Sequence, residues 1–261
     1  MTRPHAKIAI SLAALTAALF STAAIAETVA GLSGGNTLVW IDTAAMKVTK
    51  TVEIKGAALV GMDVRPADKM LYGVTADGKI WTVDPSTGIA TMKSQISEAL
   101  PANAMITVDF NPVADRMRLM GSDGTSLRIN VDDGKATVDG KHKYAETDAM
   151  KGKASMVTAG AYSNSFAGTK ETALYNIDKA AGTLVKQAPP NDGILNTIGA
   201  LGVKLDGDIG FDISSDGKGG NTGWLVAGGA LHTVDLMTGA AKAIGPIAGL
   251  KGGLKDIAVM P

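Results

Sequence analysis

Aspartate recurs at the centre of short apolar segments of the sequence. Four such segments resemble one another, and their central acids are Asp63, Asp109, Asp212 and Asp256. Four carboxylates brought to one axis could hold a hard cation such as calcium through oxygen ligands. The alternative is structural, because each carboxylate could accept backbone N–H groups of a neighbouring unit, and a binding site needs only one copy. The structural interpretation implies no cofactor, whereas the cation-binding interpretation makes calcium the candidate cofactor.

Arginines cluster after the second of these acids. Arg116 and Arg118 alternate in one predicted strand, and Arg128 lies in the next. Because side chains alternate between the two faces of a strand, the three guanidinium groups could share one side of a sheet. Guanidinium binds carboxylate or phosphate through paired hydrogen bonds. The pattern predicts an anion-binding pocket or, alternatively, salt bridges between repeat units to Asp63, Asp109 or Asp115.

A long connection over residues 187–205 adds further polar candidates. Loops of this length on a rigid scaffold commonly carry binding residues, although apolar residues within it could equally make it a packed strap. Beyond the arginines, the ligand-binding candidates are Asp109, Asn111, Tyr162, Asn164, Asn191, Asp192 and Asn196.

The segment 212–217 begins like a calcium-binding loop. Oxygen-bearing side chains alternate along it, and it ends in Gly217. The bidentate Glu that would complete such a loop is replaced by Gly223. The segment is therefore interpreted as a polar turn.

Motifs for catalysis are scarce in the sequence. It has no Cys, and His142 and His232 are the only histidines after residue 26. It contains no nucleophile elbow, phosphate loop or dinucleotide fingerprint. These features favour a non-enzymatic binding or interaction module. A carboxylate- or metal-dependent hydrolase or lyase and a structural surface protein remain the alternatives.

The charge balance bears on the partner. The 261 residues include 25 basic and 25 acidic side chains, for a net charge of zero. A nucleic-acid partner is not expected, because such proteins present a basic surface. An unidentified protein or a small ligand is expected instead.

The polar residues are positioned by a repeated unit of short strands. Later in each unit a strand ends in an acidic or amide residue, at Asp42, Asp84, Asn130, Asp178 and Asp235. In the last four of these five cases a Gly follows four residues later, as hairpin turns require. The unit repeats at roughly 47 residues, which is the length of a propeller blade.

The two ends of the chain predict how the repeats close. Residues 28–56 contain the later strands of a unit, and residues 253–260 contain its first strand alone. Pairing of these terminal strands would complete a five-bladed, all-β propeller-like ring with few exposed edges. The alternative is an open sandwich or a stack of similar hairpins.

Several segments carry a resemblance to a known family. They are residues 61–66 with 71–73, residues 108–118, residues 161–168 and residues 189–193. Through them the chain resembles the secreted bacterial family called domain of unknown function 4394. The resemblance implies export and a propeller-like β fold. It transfers no catalytic residue.

Residues 1–26 have the pattern of a secretory signal. Arg3 and Lys7 precede an apolar run over residues 8–20, and Ala24 and Ala26 supply small residues for cleavage. A retained anchor is the alternative, but the run is shorter than the roughly 20 residues that a bilayer requires. Cleavage after Ala26 would leave residues 27–261 as a single domain without a membrane-spanning segment. The expected location is periplasmic or extracellular.

Overall fold

The structure, a computed structural model, describes residues 27–261, so the predicted signal segment lies outside the described residues. The strands are β1 (Thr28–Ser33), β2 (Thr37–Asp42), β3 (Lys47–Glu53), β4 (Leu59–Val64), β5 (Leu71–Thr75), β6 (Lys79–Val83), β7 (Ala90–Gln95), β8 (Ile106–Asn111), β9 (Arg116–Gly121), β10 (Ser126–Ile129), β11 (Ala136–Val138), β12 (Lys143–Tyr144), β13 (Val157–Tyr162), β14 (Leu174–Asp178), β15 (Thr183–Gln187), β16 (Ile194–Ala200), β17 (Gly210–Ser215), β18 (Asn221–Ala227), β19 (Ala230–Val234), β20 (Ala241–Pro246) and β21 (Asp256–Met260). A short 3-10 helix spans Pro190–Asp192. No helix within residues 27–261 is long and apolar enough to cross a membrane.

The strands form five sheets that act as blades. Blade 1 has the order β21-β1-β2-β3, blade 2 is β4-β5-β6-β7, blade 3 is β8-β9-β10-β11 and blade 5 is β17-β18-β19-β20. Blade 4 has the order β13-β14-β15-β16, and the short β12 is added parallel to β16. The predicted five-bladed, all-β arrangement is confirmed.

The terminal strands close the ring as the sequence predicts. Strand β1 pairs antiparallel with β21, and Leu32 lies opposite Asp256. Strand β2 belongs to the same sheet, on the other side of β1. The first strands of the blades contact one another around the ring in the order β4, β8, β13, β17, β21 and back to β4. An open stack of hairpins is thereby excluded.

The Asx-to-glycine pattern produces the outer hairpins of the blades. The Asp84 carboxylate accepts hydrogen bonds from the backbone N–H groups of Ser86 and Thr87, at 2.8 and 3.2 Å. Gly88 follows with a φ of 74°. A Cβ atom there would lie 1.9 Å from the Glu53 carbonyl oxygen of blade 1. Glycine therefore permits both the turn and the close approach of two blades.

The hydrophobic core lies between neighbouring blades. Between blades 2 and 3, for example, the rings of Tyr72 and Phe110 meet edge to face with their centroids 5.3 Å apart. Both residues are buried, with Val108 and Leu119 in the same cluster. Such contacts between blades fix the first strands that carry the candidate site residues.

Candidate functional site

Three of the repeated aspartates meet at one end of the ring axis. Oxygen atoms of Asp63, Asp109 and Asp212 all lie within 4.8 Å of one another. All three residues are buried. Each lies on the first strand of its blade, which places the carboxylates side by side around the axis.

Each of these carboxylates also joins its blade to the next one. The bonds run from the backbone N–H of Phe110 to Asp63 at 2.8 Å, from that of Tyr162 to Asp109 at 3.0 Å, and from that of Val259 to Asp212 at 2.6 Å. Asp63 and Asp212 in addition accept the N–H of the residue that follows each of them. Each of these three bonds joins a carboxylate of one blade to the backbone of the next blade, and we call such a bond a latch. The structural interpretation of the repeat predicts bonds of this kind.

Asp256 lies at a different level from the other three. The Phe110 N–H that bonds to Asp63 belongs to the residue directly after Asp109. In the same way, the Val259 N–H that bonds to Asp212 belongs to the residue directly after Ala258. Ala258 therefore occupies the position that the sequence pattern assigns to Asp256. Asp256 instead accepts the N–H of Met62 at 3.1 Å, one residue before Asp63. The four predicted acids thus form a cluster of three and a separate latch, not one ring of four.

Burial raises the pKa of every carboxyl group in the cluster. The pKa values of Asp63 and Asp109 lie well above the usual range because of desolvation and, in second place, repulsion from neighbouring aspartates. Desolvation raises the pKa of Asp212 to about 6. The cluster consequently resists carrying three negative charges at neutral pH.

A funnel of about 330 Å³ opens next to the cluster. Asp63, Asp212, Glu27 and Lys69 line it, together with the end of the chain near Pro261. The Glu27 carboxylate accepts a hydrogen bond from the Trp224 indole at 2.6 Å. The oxygens present suit a hard cation, but the backbone bonds already give every member of the cluster a structural role.

The predicted arginines separate into one buried and two accessible groups. Arg118 is 1% exposed, and its guanidinium bonds to the Asp139 carboxylate and to the Ser126 hydroxyl. Arg128 donates two hydrogen bonds to the same carboxylate, at 2.8 and 2.9 Å. Arg116 is exposed and contacts only the carbonyls of its own turn.

The salt-bridge partners differ from those that the sequence suggests. Asp139 pairs with Arg118 and Arg128 inside blade 3, whereas Asp109 points to the axis. Asp115 pairs with Arg65 of blade 2 at 2.6 Å, which lowers the Asp115 pKa. Alternation along β11 could have revealed Asp139, because it falls on the same face as Thr137, the residue opposite Arg128.

Arg118 also ties the long connection of blade 4 to blade 3. Its guanidinium donates to the Asn191 side chain at 2.8 Å and to the Tyr162 hydroxyl at 3.2 Å. Asn191 lies in the 3-10 helix, whose Pro190 carbonyl accepts a bond from the Gln187 side chain at 2.6 Å. This part of residues 187–205 is thus a strap whose position is set by polar contacts.

Two cavities lie on blade 3 and at its junction with blade 4, and together we call them the blade 3–4 cleft. The first, of about 260 Å³, is lined by Arg116, Arg128, Asn130, Lys135 and Thr137. The second, of about 390 Å³, includes Asn111, Tyr162, Lys170, Glu171, Lys186 and Pro190 in its lining. Asn111 of the second cavity lies opposite Arg116 of the first in the pairing of β8 with β9, so this pair brings the two linings together.

The cleft is basic and its cations are available. Within residues 27–261, no salt bridge involves Arg116, Lys135, Lys170 or Lys186. Glu171 is the only acid in the lining of either cavity. Lys135 lies between β10 and β11, Lys170 lies between β13 and β14, and Lys186 lies in β15. The sequence did not reveal these three lysines as site residues, because only the fold brings their segments together.

The remaining predicted ligand residues lie elsewhere or serve the scaffold. Asn164 exchanges hydrogen bonds with Asn221 of blade 5, at 2.7 and 2.9 Å. The Asn196 side chain donates to the Ala188 carbonyl at 3.0 Å. Asp192 is exposed on the 3-10 helix. Asp216 accepts the N–H groups of Lys218 and Gly220, so segment 212–217 continues into a polar turn.

The two histidines do not join a catalytic constellation in the described part of the chain. The ring nitrogens of His142 are buried and make no hydrogen bond, and the same holds for Nδ1 of His232. The three axial aspartates are the only group of potential metal ligands within residues 27–261.

Comparison with known proteins identifies a family and a fold. The profile of the family described as "Domain of unknown function (DUF4394)" matches residues 37–258. No curated protein matches the chain.

Two solved structures are similar to the chain at low sequence identity. One is a structural genomics protein of unknown function from Bacteroides thetaiotaomicron, with a TM-score of 0.51 and 15% identity. The alignment covers 91% of this chain and 65% of that one, so this chain spans slightly less than two thirds of the other's length. The other is the dihydro-heme d1 dehydrogenase NirN in complex with DHE, with a TM-score of 0.43, 14% identity and coverage of 88% and 46%. The first likeness supports the fold alone, and the second supports no inference.

Proposed function

We propose that this chain, which belongs to the DUF4394 family, is a non-enzymatic binding module whose ligand carries at least two anionic groups. The observation that carries the proposal is the blade 3–4 cleft, where Arg116, Lys135, Lys170 and Lys186 are exposed and form no salt bridge within residues 27–261. Cationic side chains without partners attract anionic ligands and increase their rate of association.

The arrangement beneath the cleft supports binding. The Arg118–Asp139–Arg128 network is anchored to the strap through Asn191 and to the blade 4 core through Tyr162. A site on a rigid, preorganised surface loses less entropy when it binds. The ligand would span the two adjoining cavities, which explains why we expect more than one anionic group.

Isothermal titration of the purified chain with citrate and with inorganic pyrophosphate tests the proposal. The double variant Arg116→Gln/Lys135→Gln should weaken binding of the better probe at least about tenfold, equivalent to about 1.4 kcal/mol. Lys242→Gln/Lys251→Gln is the matched control, because both lysines are exposed and lie outside blades 3 and 4. Equal binding by the wild-type chain and the double variant, or no binding of either probe, would overturn the proposal.

We also propose that the module acts outside the cytoplasm, on the basis of the signal pattern of residues 1–26. Expression of the full chain in a Gram-negative host tests this. Mass spectrometry of the periplasmic fraction should find a product that begins at Glu27. A product that keeps residues 1–26 would contradict the proposal.

A further inference from the structure

A separate cavity lies at the other end of the ring axis. It has a volume of about 200 Å³, and all five blades contribute to its lining. Its residues include Val60, Ile106, Thr158, Ile209 and Lys255, which lie at or just before the starts of the first strands. The axial aspartates lie toward the ends of the same strands, so the funnel and this cavity occupy opposite mouths of the ring. We call the cavity the lysine mouth.

The polar lining of the lysine mouth contains two lysines. Lys179 donates a hydrogen bond to the Gly207 carbonyl. The Lys255 ammonium makes no hydrogen bond or salt bridge within residues 27–261, although its backbone N–H bonds to the Leu32 carbonyl. Asp208 is the one acid in the lining. The mouth therefore offers a free cation to a ligand with a single negative charge.

A buried hydroxyl in the same lining lacks a partner. Thr158 is 3% exposed, and its Oγ1 has no hydrogen-bond partner among the described residues. Buried polar atoms without partners are rare in folded proteins, since leaving one unpaired is costly. This hydroxyl is a second feature of the lining, independent of the lysines, that could bond to a polar atom of a ligand.

The rest of the cavity is apolar. Val60, Ile106 and Ile209 come from three different blades, and Met105 lies beside them. The volume corresponds to roughly six or seven water molecules at about 30 Å³ each. A compact hydrocarbon group of a few carbons would fill it and bury apolar surface.

We propose that the lysine mouth binds a small aliphatic monocarboxylate. The carboxylate would lie between the Lys255 ammonium and the Thr158 hydroxyl, and the hydrocarbon part would pack on Val60, Ile106 and Ile209. Asp208 would disfavour a second carboxylate. This site is distinct from the blade 3–4 cleft and does not depend on the function proposed there.

Titration of the purified chain with isovalerate tests the site, and isoamyl alcohol serves as the uncharged probe of the same shape. The wild-type chain should bind isovalerate at least about tenfold more tightly than the alcohol. Lys255→Met should abolish that preference, and Thr158→Val should reduce isovalerate affinity several-fold because it removes the hydroxyl but keeps the shape. Lys251→Met, at an exposed lysine four residues before Lys255, is the matched control and should bind as the wild type does.

Two outcomes would overturn the inference. One is an affinity for isovalerate no greater than that for the alcohol, a comparison that needs only the wild-type chain and stays decisive if Lys255→Met fails to fold. The other is an unchanged preference in folded Lys255→Met. The Arg116→Gln/Lys135→Gln variant should bind isovalerate normally, so failure at one site is distinguishable from failure at the other.

Discussion

The Asp212 carboxylate accepts a hydrogen bond from the Val259 backbone N–H at 2.6 Å, and so blade 5 is fastened to the C-terminal strand of blade 1. The same kind of bond joins Asp63 to blade 3 and Asp109 to blade 4. Blade 4 has Ala161 at the corresponding position of β13, directly before Tyr162, so no carboxylate there joins it to blade 5 within residues 27–261. The repeated acid thus holds neighbouring blades in register, but it also buries three carboxyl groups close to one another.

Asp109→Asn should change how stability depends on pH. Burial raises the pKa of Asp109 well above its ordinary value of 3.8, so the folded chain holds a proton that the unfolded chain has lost. Stability from this group is therefore greatest at low pH and is lost as the pH rises through the window between 3.8 and the raised value. The amide of Asn can still accept the Tyr162 N–H without a charge. Relative to the variant, the wild type should lose stability as pH rises in urea unfolding experiments.

Asp109→Ala is the comparison for that experiment. It removes the charge and the latch together, so it should leave the Tyr162 N–H without its acceptor at a cost of about 1–3 kcal/mol. Asp109→Asn and Asp109→Ala with the same stability at neutral pH would contradict the latch.

Calcium distinguishes the two interpretations of the axial carboxylates. If they serve as latches alone, neither calcium nor EDTA should move the thermal midpoint of the wild-type chain at neutral pH. A cation bound at about 100 times its dissociation constant would instead add about 2.7 kcal/mol of stability. A rise with calcium that is absent from Asp109→Asn would assign a cation site to the cluster.

Gly88→Ala should destabilise the junction of blades 1 and 2. The residue has a φ of 74°, and an added Cβ would overlap the Glu53 carbonyl oxygen at 1.9 Å. We expect a loss of at least about 3 kcal/mol in the free energy of unfolding. Gly182→Ala is the control, since its φ of 66° is equally unfavourable but nothing lies within 4 Å. It should cost about 1–2 kcal/mol, and equal losses in the two variants would show that the blades do not approach as described.

His142 should lower the free energy of unfolding in mild acid. Burial, followed by repulsion from Arg118, lowers its pKa to about 4. Because the unfolded chain then binds a proton that the folded chain refuses, stability is lost as the pH falls from 6.5 toward about 4. His142→Gln should flatten this part of the profile in the same urea experiment. A variant whose profile is as steep as that of the wild type would contradict the assignment.

Arg118 and Arg116 should differ sharply in their effect on stability. Arg118→Met breaks a buried ion pair and two contacts to blade 4, for an expected loss of about 3–5 kcal/mol. Arg116→Gln removes an exposed side chain and should change stability by no more than about 0.5 kcal/mol. Guanidinium chloride unfolding measures both. Similar values would mean that Arg118 is not the anchor of the cleft.

The fold could be predicted from the sequence because its signals are local and repeated. Asx residues followed by Gly, as at Asp84 and Gly88, mark hairpins, and each hairpin belongs to a unit of nearly constant length. The isolated strand at residues 253–260 could also be assigned to a blade from the sequence. The unit at residues 28–56 lacked a first strand, and this strand supplies it. The structural interpretation of Asp63, Asp109 and Asp212 followed from repetition itself.

The site could be predicted only in part. Asp256 aligned with the other acids in sequence, but the pairing of β21 with β1 places Ala258 at their level. Arg118 and Arg116 looked equivalent in the sequence because they alternate along one strand. In the fold, Arg118 is buried and has a structural role, whereas Arg116 is exposed. The lysines of the cleft and Lys255 of the lysine mouth had no pattern to reveal them, because contacts between blades bring them to their cavities.

The most direct test of the binding proposal is to map where an anion binds. Backbone amide chemical shifts of the labelled chain, followed during titration with inorganic pyrophosphate, report this residue by residue. We expect the largest changes at Asn111, Arg116, Lys135 and Lys186, with little change around Asp63 and Asp212. Shifts spread over exposed lysines of all five blades, or centred on the axis, would contradict a ligand site at the blade 3–4 cleft.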